Sequence, residues 1–459
     1  MNDATEHDLV LHGDIARPDG SVLKAGWLGI TDGRITSTSE TPISGRETVD
    51  ASGYLVLPGF VDAHVHTRSC VDEGITATTG AAAAGGTTTI IDMPFDKPAR
   101  PVNSRERFEA KVADVEDEAI VDVGLYATFP PEGDLGIIAE MATAGAAGFK
   151  VSTIEVDPLR FPRIPDGRLY EAFQEIALTG RPVAAHQENQ EIIFSQAEAF
   201  QARGDTSPID HALSRPPVAE AEAAGRLLEL AYWTGAHLHM VHGTVPRTFD
   251  LIEWNRAKGV HATGETCLQY LLLTMEALKE QGGRAKCNPP LRSQEAVDGL
   301  WTQVQEGVVD IVTSDHSPYP LHRKETADIF EAFAGMPGAE TLGTLLYSEG
   351  VATGRIGLGR FLELVCSGPA DVFGFGQKGR LDVGADADFV VFDTEAEWTL
   401  DEAEMHYAVG WSPYHGRTAR GRVLSTWLRG RCVYDNGTVT AEPGCGGFVA
   451  PLRTHTHAI

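Results

Sequence analysis

PGFVDAHVHTR, residues 58–68, is the stretch whose reading decides the fold. It closes an apolar run that begins at Tyr54 and places two imidazoles, His64 and His66, two positions apart. Alternate side chains of a strand share a face, so both rings point the same way from a strand's end. Two neutral imidazoles converging on one point form a metal-binding arrangement. A surface HxH would do the same by accident, so the weight rests on the rest of the chain.

Downstream, strand-like runs recur: TTTIIDMP, VDVGLYATF, GAAGFKVST, PVAAHQEN, HLHMVHGT, GVHATGETC and DIVTSDHSP. Helix-like stretches separate them, among them SRERFEAKVADVEDEA, GRLYEAFQEIALTG and VAEAEAAGRLLELAYWTG. Strand and helix in alternation imply parallel strands covered by helices. With the opening stretch as the first strand there are eight units, which predicts an α/β fold: a closed (β/α)8 barrel of the TIM type over residues 57–384. At about 31 residues per unit, Lys150 ends strand four, His186 strand five, His242 strand six and Asp315 strand eight. That is the face on which barrel enzymes do their chemistry.

The two ends read differently. DLVLHGDI and WLGITDGRITST near the start, and ADADFVVFDTE, VLSTWLRGRCVYDNGTV and GGFVAP near the end, are short alternating strands. Asp-Gly at 19–20 and 32–33 and Asn436-Gly437 mark hairpin turns. Residues 1–56 and 385–459 are therefore expected to build one small β-sandwich domain from both termini. Gly374, Gly376 and Gly379 spell GxGxxG, but no strand leads into them and no βαβ unit follows. They read as the turn that returns the chain to the sandwich, not a dinucleotide site. His455 and His457 read as a terminal tail.

Composition excludes several classes. A net charge of −28 argues against nucleic-acid and anionic-membrane partners. The six cysteines are scattered without a CxxC, as in a reducing compartment. There is neither a signal-peptide pattern nor an apolar run of about 20 residues. A cytoplasmic protein is the expectation.

His64, His66, His186, His242 and Asp315 together would supply ligands for one or two divalent ions. Lys150, in the apolar run FKVST, has two readings. It is a buried lysine paired with an acid, Glu188 or Asp315, or a neutral amine that has taken up CO2 as a carbamate, an anionic oxygen donor able to bridge two metals. The residues alone leave both open.

PGFVDAHVHTR, GFKVS, AAHQEN, MVHGT and TSDHSP, with AAAAGGTTTIIDMP, NPPLR and GADADFVVFD, resemble the successive motifs of the cyclic amidohydrolases: dihydroorotase, allantoinase and hydantoinase (dihydropyrimidinase). The resemblance covers nearly the whole chain. It implies two divalent ions, zinc first, with manganese, cobalt and iron compatible with the same ligand types. His64, His66 and Asp315 would hold one ion, His186 and His242 the other, and carboxylated Lys150 would bridge them. Asp315 would also be catalytic, moving a proton from the attacking hydroxide to the leaving ring nitrogen. The substrate would be a small cyclic ureide or imide, and a homotetramer or homodimer is common among such relatives.

SDHSPYP, KCNPPLR, QKGRLDVGADADFVVF and WSPYHGRTARGRVLSTWLRG resemble the allantoinase branch. The tyrosine that hydantoinases carry shortly after the bridging lysine is missing between Val151 and Leu159. Departures remain: Thr67-Arg68-Ser69 follows HVH, PFDKP places Asp96 where an amide is expected, and ETCLQY at 265–270 lacks the usual PHY. Arg68 resembles the dihydroorotase arginine that grips a carboxylate, its planar fork being suited to that task; otherwise it balances a nearby acid such as Asp72 or Glu73. Arg68, Asp96, Asn288 and Ser317 are the candidate substrate contacts. Ring opening of allantoin is the leading expectation. The alternatives are a hydantoinase-like or dihydroorotase-like activity on another ring, and a catalytically silent scaffold, which the complete set of ligand positions disfavours.

Overall fold

The computed structural model describes residues 6–68, 70, 73–98 and 100–452. Asp72, His455 and His457 lie outside them. Eight strands form one parallel sheet in sequence order: Phe60–Val65, Thr87–Asp92, Asp122–Ala127, Gly148–Ser152, Val183–His186, Leu238–Met240, Ala262–Cys267 and Ile311–Thr313. The first three and the fourth are buried along their whole length, as expected where helices cover one face and neighbouring strands fill the other. Between strand eight and strand one the barrel closes through a bridge of Val65 with His316 and the bond from the His66 amide to the His316 carbonyl, 2.8 Å. Asp62 completes the seam, accepting from the Ser314 amide at 3.1 Å and its hydroxyl at 2.5 Å.

The outer helices follow from their sequences. Arg105–Glu118 buries Phe108, Lys111 and Val115, one stripe at helical spacing, and the Ser104 hydroxyl caps it by accepting from the Arg107 amide. Asp166–Thr179 buries Leu169, Ala172, Phe173 and Ile176 and stops at Gly180, whose φ of 69° is the left-handed helix end that glycine allows without strain. Pro217–Thr234 starts on a proline, where the missing N–H costs nothing.

Strands from both termini join in a second, eight-stranded sheet. Gly45–Pro58 pairs in parallel with His7–Ala16 and antiparallel with Phe389–Thr399, Pro58 opposite Phe389 and Leu55 opposite Phe392. The hairpins turn at the expected pairs, with positive φ at Asp32 and Gly33 and at Asn436 and Gly437. One expectation changes. GGFVAP runs beside the third barrel strand, with Val123 donating to the Gly447 carbonyl and accepting from the Val449 amide, rather than joining the terminal sheet.

The GxGxxG segment packs at the end of the barrel opposite the histidines. Phe373 and Phe375 fill that end against Val61, Ile91, Tyr126 and Ala184. Lys378, buried, meets Asp122 at 2.5 Å, Asp388 at 2.8 Å and Asp386 at 2.9 Å, and Arg429 pairs with the same Asp122. This ion cluster ties the start of barrel strand three to the terminal sheet.

Candidate active site

Each chemistry-bearing side chain stands in the C-terminal half of a barrel strand or just past its end. His64 lies within strand one and His66 just beyond it, Lys150 within strand four, His186 at the end of strand five. His242 and Asp315 follow strands six and eight by two residues, each in the left-handed region, with φ of 41° and 46°. A non-glycine residue there carries backbone strain that the surrounding fold must hold. The effect is to turn both side chains back over the barrel mouth. All six line one cavity of about 560 Å³.

Two buried glutamates orient the imidazoles. Glu265, from strand seven, accepts from His64 Nδ1 at 2.5 Å, His239 Nε2 at 3.2 Å and the His242 amide at 3.1 Å. A carboxylate can only accept, so Nδ1 of His64 carries the hydrogen and its Nε2 lone pair faces inward, 3.3 Å from Asp315 Oδ1. His66 Nε2 lies 3.6 Å from the same oxygen. Glu188 likewise accepts from His186 Nε2 at 2.8 Å and is itself held by Arg215 at 2.6 Å. His186 Nδ1 is thereby freed toward His242 Nε2, 2.8 Å away. This is the outer hydrogen bonding that fixes the tautomer of a ligating histidine.

Electrostatics agree with that role. Burial, reinforced by Lys150, lowers His64 to about 4, and burial also pulls His66, His186 and His242 down. All four rings are neutral near pH 7, the form that binds a metal. Burial pushes Glu188 up, but Arg215 and His186 outweigh it and bring the carboxyl to about 2. Burial and the neighbouring Glu265 and Asp62 raise Asp315, against the pull of Lys150. Lys150 is lowered by burial to about 8.

The donor set suits a divalent ion. His64, His66 and Asp315 each bring a ligand atom to within 4.8 Å of the others. Lys150 Nζ and His242 Nδ1 are buried and have no hydrogen-bond partner among the described residues, which is costly unless something else satisfies them. Asp122, Asp386 and Asp388 are equally close together, but the Lys378 ammonium already fills that cluster.

Of the candidate substrate contacts, Asn288 and Ser317 line the cavity, and Asn288 Oδ1 is buried with no hydrogen-bond partner among the described residues. Arg68 and Asp96 are not brought there. Arg68 turns outward to the helix Arg105–Glu118, meeting Asp114 at 2.5 Å and Glu118 at 2.8 Å. It does balance acids, though from a helix and not from its own loop. Asp96 is claimed by the buried Lys111 at 2.6 Å, which also binds Asp92 at 2.7 Å. Asp92 in turn accepts from the Thr67 amide and hydroxyl, fixing the turn after His66. Missing from the sequence reading were Lys97, Arg160, Phe161, Arg215, Lys286 and Tyr319, which line the cavity from loops, and Glu265, whose only signal was a charge inside a buried strand.

A barrel with oriented imidazoles, a raised carboxyl and an unpartnered lysine at its C-terminal mouth defines a hydrolase of the barrel type. The model described as "Amidohydrolase family" matches residues 55–433, and the chain belongs to that family. It is 40% identical over 97% of its length to an allantoinase from Rubrobacter xylanophilus, covering 98% of that protein. It is 36% identical over 96% of its length to a D-hydantoinase from Rhizobium radiobacter, covering 98% of it. A solved L-hydantoinase (dihydropyrimidinase) from Arthrobacter aurescens superposes with a TM-score of 0.93 at 32% identity, over 97% of this chain and all of that one. The chain is an enzyme that hydrolyses C–N bonds of cyclic amides.

Proposed function

We propose that this enzyme opens a ring amide of a small cyclic ureide, allantoin first, to the ureido acid. The observation that carries the reading is the set of inward-facing imidazole nitrogens gathered with Asp315 and the unpartnered Lys150 around one small cavity. The relatives named allantoinase and hydantoinase support the choice of ring. His64, His66 and Asp315 would hold one divalent ion and His186 with His242 a second, zinc being the first candidate. Lys150 would add its neutral amine to CO2, losing a proton and gaining a carbamate whose oxygens serve both. Such ions supply a hydroxide nucleophile at neutral pH and polarise the ring carbonyl.

The chain's own residues do the rest. Asp315 accepts the proton of the attacking hydroxide and returns it to the ring nitrogen as the C–N bond breaks. Asn288 and Ser317, which line the cavity, would meet the ring's polar edge. Glu265 and Glu188 keep the imidazoles in one tautomer throughout. Among the described residues no helix is long and apolar enough to cross a membrane; we place the enzyme in the cytoplasm as a homodimer or homotetramer.

Two measurements test this. Purified protein should carry close to two divalent ions per chain and release a ureido acid from allantoin. Lys150→Ala should lose both metal and turnover, with partial recovery on adding a short carboxylic acid. A Lys150→Ala protein with full metal content and full rate would end the carbamate assignment.

A further inference from the structure

The cavity carries more positive charge than the proposed chemistry uses. Besides Lys150 it is lined by Lys97, Arg160, Arg215 and Lys286, in a chain whose net charge is −28. Two of the four are spoken for. Arg215 neutralises Glu188 at 2.6 Å, and Lys286 donates to the carbonyls of Ile329 at 2.7 Å and Ala332 at 2.5 Å.

Lys97 and Arg160 have less: between them stands one acid, Asp157. Lys97 Nζ sits 4.7 Å from the Tyr319 ring centre and 4.8 Å from that of Phe333, and no carboxylate of the described residues is within 4 Å of it. Arg160 is buried and spends one N–H on the Phe95 carbonyl at 2.8 Å. Its Nε has no hydrogen-bond partner among the described residues; Asp157 Oδ2 stands 3.7 Å away, beyond hydrogen-bond range. Asp157 Oδ1 already accepts from the amides of Leu159 and Arg160. The balance is two cations against one acid, with guanidinium and ammonium donors left over. Burial and then Arg160 lower Lys97 from its usual range, against the pull of Cys70 and Asp157. Lys97 is half-buried and Arg160 buried on the same cavity, so an anion joining both relieves the cost of keeping two cations there.

We propose that Lys97 and Arg160 form a subsite for a carboxylate carried on the substrate ring, with Phe161, Tyr319 and Phe333 as apolar walls. Resting on the reading of this cavity as a ring-amide hydrolase, this adds to allantoin, as further substrates, cyclic ureides with a short anionic side chain. The arginine whose position in the sequence suggested this task, Arg68, is tied to an outer helix, and the task moves to the loops after strands two and four.

The test compares two hydantoins that differ only in charge, one with a 5-carboxymethyl group and one with the neutral 5-carbamoylmethyl group, on the metal-loaded full chain, beside allantoin. The wild type should favour the carboxylate at least tenfold in kcat/KM. Lys97→Met should cut that ratio about tenfold, Arg160→Gln should do likewise, and Arg160→Lys should restore part of it. A ratio near one in the wild type, or equal losses on both hydantoins in the variants, overturns the subsite. Calorimetric binding of the same pair reads the preference without turnover. A preference in binding with no hydrolysis of any ureide would therefore condemn the proposed reaction and leave the subsite standing.

Discussion

Glu265→Gln changes one oxygen to an NH2 at the centre of the site. Wild-type Glu265 accepts three hydrogen bonds, two of them from imidazoles, and so forces His64 and His239 to present N–H groups to it. A glutamine keeps the shape but has only one accepting atom. Its NH2 must face His64 Nδ1 or His239 Nε2, and the donor–donor contact is relieved only if that ring switches tautomer. For His64 the switch puts the hydrogen on Nε2, on the side that faces Asp315. Loss of such an outer partner weakens metal affinity by about 10–100-fold, or about 1.4–2.8 kcal/mol at 1.4 kcal/mol per decade. Competition against a chromophoric chelator near pH 8 measures this directly, with circular dichroism as the control for folding. A folded Glu265→Gln protein that binds its ions within twofold of wild type would refute the tautomer argument.

Three further outcomes follow from the fold. Lys378→Met leaves Asp122, Asp386 and Asp388 with Arg429 on Asp122 and the more exposed Arg34 on Asp386 to balance them, and should cost about 3–5 kcal/mol in urea unfolding; a loss under about 1 kcal/mol would mean the cluster is hydrated. Arg68→Gln removes a partly exposed pair and should cost at most about 1 kcal/mol with KM unchanged, whereas a tenfold rise in KM would return Arg68 to substrate binding. His406 is raised by its hydrogen bond to Glu340, so its added stability is present below the unfolded imidazole pKa and is lost as pH rises through the folded one. His406→Gln should therefore lower Tm more at pH 6 than at pH 9; an equal drop at both would exclude the charged pair.

What was legible in the sequence was whatever repeats. Eight apolar strands and their helices have a period, and spacing alone brought Lys150, His186, His242 and Asp315 to one rim. The hairpins were legible because Asp32-Gly33 and Asn436-Gly437 adopt conformations few other pairs tolerate. Arg68 was not, because Asp114 and Glu118 lie 46 and 50 positions away on a helix whose rotation the loop sequence does not encode. Lys97 and Arg160 were hidden for a similar reason: each sits in an irregular loop with no period to say which way its side chain turns. Asp96 was legible as a charge, but Lys111, which claims it, looked like one more helix lysine.

The pairing of Gly45–Pro58 with Phe389–Thr399 has a consequence for how the protein is made. The strand that delivers His64 to the rim is anchored, at its root, to a segment that leaves the ribosome hundreds of residues later. Until residues 389–399 emerge, Gly45–Pro58 has one bare edge, an open template for any passing strand. Large chains with such delayed partners depend on protection during synthesis. A message truncated before residue 385 should therefore yield aggregate instead of a smaller working barrel, although every proposed metal ligand would already be in it.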